Sequence, residues 1–127
     1  MMMSRALTGL SRRIAVVAAI LVLTGGAASA DSFGAIAFSQ STGKFGYSFD
    51  HPSRASAETR AMAECTARSR GCKVGIWFKN ACGSVATGVN GWGSAWAPSR
   101  QQAEQSAIRN CSQHTGGCRT LAWSCTN

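Results

Sequence analysis

Several kinds of chemistry are missing from this chain at the level of motif. It has no C-x-x-C pair, which argues against a thiol oxidoreductase, no Gly-x-Ser-x-Gly nucleophile elbow and no glycine-rich phosphate loop. Lys and Arg never form a basic run, and no nucleic-acid-binding motif accompanies them, so no nucleic-acid partner is expected. A membrane span needs roughly 20 apolar residues; the apolar run Ile14 to Leu23 is shorter, so no span is expected in the mature chain. Cysteine is absent before Asp31, which removes the attachment point of a lipoprotein anchor. Acidic residues are scarce, with five Asp and Glu against 13 Lys and Arg in 127 residues.

What is present begins with an export signal. Arg5, Arg12 and Arg13 form a positive region, Ile14 to Leu23 is its apolar continuation, and Ala28-Ser29-Ala30 is a small-x-small cleavage site. Residues 1–30 are therefore read as a signal peptide, with the Sec and twin-arginine routes both open. Residues 31–127 remain, a length for one domain. They carry ten basic and five acidic side chains, a balance that favours anionic partners outside the cytoplasm, in the periplasm or the medium. All six cysteines lie in this part: Cys65, Cys72, Cys82, Cys111, Cys118 and Cys125. An even count in a short exported chain reads as a disulfide framework. Zinc is the rival, with Cys111, His114 and Cys118 as the ligands to draw, but six residues separate each close Cys pair where zinc sites use two to four. No metal or other cofactor is expected.

The chain repeats itself. A shift of 46 residues lays Pro52-Ser53-Arg54-x-x-Ala57-Glu58 on Pro98-Ser99-Arg100-x-x-Ala103-Glu104. The same shift carries Ser48 to Ser94, Ala61 to Ala107, Cys65 to Cys111, Gly71-Cys72 to Gly117-Cys118 and Trp77 to Trp123. Two repeats, 33–80 and 81–127, follow. In each, a Ser after Pro is placed to cap a helix, and in the second Gln102 completes a capping box. Ala57, Ala61, Met62 and Cys65, repeated as Ala103, Ala107, Ile108 and Cys111, mark one buried helical face. Gly71 and Gly117 are helix-stop candidates. Alternating strands follow at Lys73–Lys79 and Arg119–Cys125, the second with Leu121, Trp123 and Cys125 on one face. Hairpins precede each helix, closed by Ser41-Thr42-Gly43 in one copy and Asn90-Gly91 in the other. The unit is β-β-α-β, twice, giving an α+β domain of six short strands in a sheet or partly closed barrel with two helices. The repeat also orders the cysteines. Cys65–Cys72 and Cys111–Cys118 hold equivalent positions, which leaves Cys82 for Cys125 and makes three disulfides.

Together, Gly34-Ala35-Ile36-Ala37, Gly46-Tyr47-Ser48, the Pro-Ser-Arg-x-x-Ala-Glu motif, Trp77-Phe78-Lys79-Asn80-Ala81-Cys82-Gly83 and Gly91-Trp92-Gly93 resemble bacterial domain-of-unknown-function family 4189 from Phe33 to Cys125. The resemblance implies a small exported or periplasmic bacterial protein and brings no activity or catalytic residue. Ser56 stands where the family's pattern has Glu, a departure that touches a cap.

Candidate chemistry is thin. His51, beside Asp50, could serve a hydrolase acting on a cell-wall polymer, and Glu58 with Glu104 could pair as two carboxylates if the copies face one another. Their surface and helix-start positions explain both without catalysis. Trp77 and Trp123 are read as core. Trp92 and Trp96 share a strand face and form the candidate binding surface, able to stack on sugar rings or anchor a protein. The expectation is an exported binding module with no catalytic site, directed at an anionic envelope component or another secreted protein, as an inhibitor or immunity-type factor. A structural envelope protein is the further alternative. No oligomeric state follows from the sequence.

Overall fold

The computed structural model describes residues 30–127; the signal peptide read at 1–30 lies, but for its last residue, outside them. The order is β1 (Phe33–Phe38), β2 (Phe45–His51), α1 (Arg54–Thr66), β3 (Lys73–Lys79), β4 (Cys82–Thr87), β5 (Trp92–Ala97), α2 (Arg100–Ser112) and β6 (Arg119–Cys125). Each half builds its own antiparallel sheet, β2-β1-β3 and β5-β4-β6, so the six strands form two three-stranded sheets and no closed barrel. The sheets stack with β3 over β5 and β2 over β6, and each helix covers the outer face of its own sheet. Because β2 corresponds to β5 and β3 to β6, this exchange of equivalents is the packing of an approximate twofold. It yields four layers in the order helix, sheet, sheet, helix.

Alternation along the central strands explains the layering. On one face of β1, Ile36 and Phe38 enter the space between the sheets and join Phe78, Val85 and Ala122 in the main core. On its other face, Ala35 and Ala37 meet Ala57, Ala61 and Cys65 of α1. The second half repeats the outer contact with Ala86 against Ala107 and Cys111. Burying a Phe or Ile side chain fully is worth roughly 1.5–3 kcal/mol, so the few large residues of the central layer carry much of the hydrophobic stabilisation. Alanine and glycine let the helices lie close. An added Cβ at Gly46 would stand 2.4 Å from the backbone of α1, and one at Gly93 would stand 2.2 Å from that of α2.

Both helices start at the expected serines. Ser53 Oγ accepts from Ser56 N at 3.1 Å and Ser99 Oγ accepts from Gln102 N at 3.2 Å. The second cap is only half a capping box, since the Gln102 side chain returns no bond to Ser99 among the described residues. The first cap is the richer one. Ser56 Oγ also donates to Ser53 O at 3.1 Å and receives a bond from Ser53 Oγ at 3.0 Å. The helices end at Thr66 and Ser112, capped by Ala67 and Gln113. Gly71 and Gly117 are therefore not the stops. With φ near +70° they turn the chain just before the second cysteine of each short disulfide, a conformation that costs glycine least.

Three disulfides clip this framework: Cys65–Cys72, Cys111–Cys118 and Cys82–Cys125. The first two tie a helix end to the strand that follows it. The third joins directly opposed residues of β4 and β6.

One apparent identity of the repeat is not a structural equivalence. Ala35 pairs with Ser48, whereas its counterpart Ser84 pairs with Ala95, so Ser48 corresponds to Ala95 and Tyr47 to Ser94. The offset arises from a bulge in β2, where Asp50 takes a left-handed φ of 55°. Ser48 compensates for the bulge, since its hydroxyl accepts the Ala35 N–H at 3.1 Å and donates to Ala57 O at 2.7 Å. A further bulge in the β4–β6 register, between Val85 and Ala86, takes Leu121 off the expected Trp123–Cys125 face and packs it against the central core.

Candidate ligand-binding surface

The twofold-like packing puts the two hairpin turns and the two loops that follow the helices at one end of the sandwich. Phe38, Lys73 and Phe45 meet there in sheet register, as do Thr87, Trp92 and Arg119. Phe38 lies edge-on to Trp92 at 5.0 Å, which joins the two sets. The hairpin turns and the disulfide-clipped loops are bonded in pairs. Thr42 Oγ1 meets Ser69 Oγ at 2.6 Å, and Asn90 N donates to Thr115 Oγ1 at 3.1 Å.

Charge is distributed unevenly along the resulting axis. At the end opposite the loops lie Asp31, Asp50, Glu58 and Glu104. Three of them are held by cations: Lys79 to Asp31 at 3.1 Å, Arg54 to Glu58 at 2.7 Å and Arg100 to Glu104 at 3.1 Å. Glu64, the fifth acid, is shared by Arg60 and Arg68. The remaining cations, Lys44, Arg70, Lys73, Arg109 and Arg119, have no carboxylate partner among the described residues. All five are exposed, four in or beside the loops and Arg109 in the last turn of α2. Scattered in sequence, Lys44, Arg70, Lys73 and Arg119 are gathered at the loop end by the fold, whereas Arg109 turns back along α2 to Ser106 and the surface beside Pro98.

The opposite end is organised around the bulge. The Asp50 carboxylate lies 3.1 Å from Ser32 Oγ and 3.0 Å from Thr126 Oγ1 and accepts from Asn127 N at 3.3 Å; the two hydroxyls also lie against each other, so their two protons serve three contacts. These bonds, that of the Asn127 amide first, hold the Asp50 pKa below its ordinary value. Asp31 is lowered likewise, chiefly by its hydrogen bond from Lys79 and then by that from Asn80. The cluster pins both ends of the described chain against β2.

His51 faces the other way. Its Nδ1 lies 3.2 Å from Ser56 Oγ at the start of α1, while Asp50 is engaged with Ser32, Thr126 and Asn127. Acid, imidazole and hydroxyl are thus not strung together as a relay. Glu58 and Glu104 are not brought together either, because α1 and α2 lie on opposite outer faces and do not touch. Each forms an exposed (i, i+4) ion pair with the arginine of its own motif.

The tryptophans depart from the sequence reading. Trp77 and Trp123, expected in the core, are 37% and 40% exposed on the rims of their sheets. Each is covered by the first arginine of its helix, Arg54 at 4.5 Å from the Trp77 ring and Arg100 at 3.8 Å from that of Trp123. This accounts for three identities of the repeat at once: the arginine lies between a ring and a carboxylate, donating to Glu58 or Glu104 at its edge. No strand periodicity signals such a stack, although the joint recurrence of Arg, Glu and Trp was a cue. The two members of the candidate surface separate. Trp96 is 63% exposed and lines an apolar groove of about 660 Å³ with Ile76, Trp77 and Phe78. Trp92 is half-buried between the sheets against Phe38, with Lys73 Nζ 4.7 Å from its ring.

A depression of about 580 Å³ opens at the loop end, lined by Gln40, Asn90, Trp92, Ser94, Asn110 and His114. Gln40 comes from the first repeat and the others from the second. Among the described residues no group of three or more His, Cys, Asp or Glu is arranged to hold a metal ion. Nor does any helix among them have the length and apolarity to cross a membrane.

The model of a domain of unknown function, DUF4189, matches residues 33–125, and the chain belongs to that family. Among solved structures it is similar to Rv1813c from Mycobacterium tuberculosis, determined by NMR, at 26% identity over 74% of each chain with a TM-score of 0.52. No curated protein matches it.

Proposed function

We propose that the protein is an exported binding module, without catalysis of its own, that engages an anionic polymer outside the cytoplasm through the loop end. The observation that carries this reading is the gathering of Lys44, Arg70, Lys73 and Arg119 at that end, while four of the five carboxylates lie at the opposite end and the fifth, Glu64, is neutralised by Arg60 and Arg68. The C-termini of both helices also point there, and their dipoles together supply only about one negative charge. A clear positive excess remains to raise the local concentration of a polyanion. Three disulfides in fewer than a hundred residues support an oxidising compartment. The two short ones also clip the loops that carry Arg70 and lead into Lys73 and Arg119, so less ordering is left to be done on binding there.

Linear polyphosphate is a suitable probe, because its charge is dense and it offers nothing to stack on. Binding is expected to weaken steeply with added salt. Replacing Lys44, Arg70, Lys73 and Arg119 together by serine should lower affinity at least about tenfold, a loss of roughly 1.4 kcal/mol. Replacing the carboxylate-paired Arg54 and Arg60 should leave it nearly unchanged. Equal binding by the four-site variant and the unmodified protein would refute the proposal.

A further inference from the structure

We infer that the depression at the loop end, where polar side chains surround an apolar wall, is a subsite for one ring of an acidic glycan. The inference rests on the polyanion reading above and adds the class of polymer. Its starting point is a divergence between the repeats. The depression between β2 and α1 of the first copy shares three equivalent positions with it, Tyr47, Glu64 and Arg68; Phe49, His51 and Arg60 extend it toward the opposite end, and it encloses about 320 Å³. Ion pairs from Glu64 to Arg60 at 2.8 Å and to Arg68 at 3.6 Å line it. In the second copy the register puts Ser94 where Tyr47 stands, and the repeat puts Asn110 for Glu64 and His114 for Arg68. Where the first copy carries a phenol ring and a charged network, the second carries shorter uncharged groups beside a depression of about 580 Å³.

The groups around it suit a sugar. Asn110 Nδ2 donates to Ser94 O at 2.8 Å, and Asn90 Oδ1 accepts from Thr115 Oγ1 at 3.0 Å, so both amides are oriented with one end unused. Among the described residues the side chains of Gln40, Ser94 and His114 make no hydrogen bond. Amides, a hydroxyl and an imidazole both donate and accept, as the hydroxyls of a pyranose do. Trp92 supplies an apolar wall. A simple phosphate chain could accept from the donors but would use neither the acceptors nor the Trp92 face. The carboxylate carried by each ring of a uronate polymer finds Lys73, whose Nζ lies 4.7 Å from the Trp92 ring.

The test compares oligogalacturonate with linear polyphosphate of equal charge by calorimetry at one salt concentration. The glycan should bind about tenfold tighter or better. Ser94→Tyr, which restores the first copy's side chain, should abolish that preference and leave polyphosphate affinity within about twofold. The double variant Gln40→Ala with His114→Ala should do the same, and as both side chains are exposed it stands even if Ser94→Tyr perturbs folding. A glycan bound no tighter than polyphosphate would overturn the subsite while leaving the basic end intact. A preference surviving both variants would overturn it too. Failure of the unmodified protein to bind either probe would overturn the reading of the basic end and the subsite with it.

Discussion

Replacing Gly93 by alanine should be among the most damaging single-methyl changes in the domain. The new Cβ would lie 2.2 Å from Cys111 N and 2.7 Å from Asn110 C, where ordinary contacts between heavy atoms need about 3.5–4.0 Å. The obstacle is helix backbone, so no side-chain rotation relieves it, and α2 would have to recede by more than about 1 Å. The Cys111–Cys118 bond and the buried Ala107 oppose that movement. Overpacking costs roughly 1–3 kcal/mol, and this position belongs at the upper end. At about 4–8 °C per kcal/mol for a domain of this size, the midpoint should fall by about 12–24 °C. Two further glycines calibrate the reasoning. Gly43 has open space around it but a φ of +71°, so alanine there should cost about 1–2 kcal/mol from backbone strain alone. Gly116 has open space and no left-handed φ, so alanine should be neutral or stabilise by about 0.4–1 kcal/mol. Thermal melts followed by tryptophan fluorescence give the order directly. A Gly93→Ala protein melting within a few degrees of the parent, or melting above Gly43→Ala, would refute close helix seating as the basis of the fold.

Other outcomes follow from the same structure. Opening Cys82–Cys125, with its sequence separation of 43, should cost about 4 kcal/mol, and each bond with a separation of 7 about 2.5 kcal/mol. Set against a usual total of about 5–15 kcal/mol, full reduction should leave the domain marginal or unfolded, as melts with and without reductant will show. Asp50 has a folded pKa below its ordinary 3.8, so its contribution is complete above that value and is lost as pH falls through it toward the folded pKa. Asp50→Asn should therefore flatten the acid limb of a stability–pH curve, and an unchanged limb would contradict the role given to the Ser32, Thr126 and Asn127 donors. Arg100→Ala should expose the Trp123 ring, increase its quenching by acrylamide and cost roughly 0.5–1 kcal/mol, the usual range for an exposed cation–π contact.

The α+β class, the duplicated unit and the helix starts were legible in the sequence because their causes are local. Capping by Ser53 and Ser99 depends on the next three residues, and the Ala57–Ala61–Cys65 face on helical periodicity. The family resemblance rested on the same kind of short-range motif. The repeat, a comparison internal to the chain, was enough to suggest which cysteines lie at equivalent places.

Tertiary structure alone decided the rest, and the physical reason is that each of these features depends on where the two sheets lie. Strand alternation does not say whether six strands close on themselves or stack as two sheets. The bulge at Asp50, which removes the Ser48–Ser94 equivalence, appears only when β2 is laid against β1. Trp77 and Trp123 look like core residues until an arginine from the helix above is found on each ring. Lys44, Arg70, Lys73 and Arg119, dispersed in the sequence, come to one end only because the twofold-like packing carries the turns of both copies there.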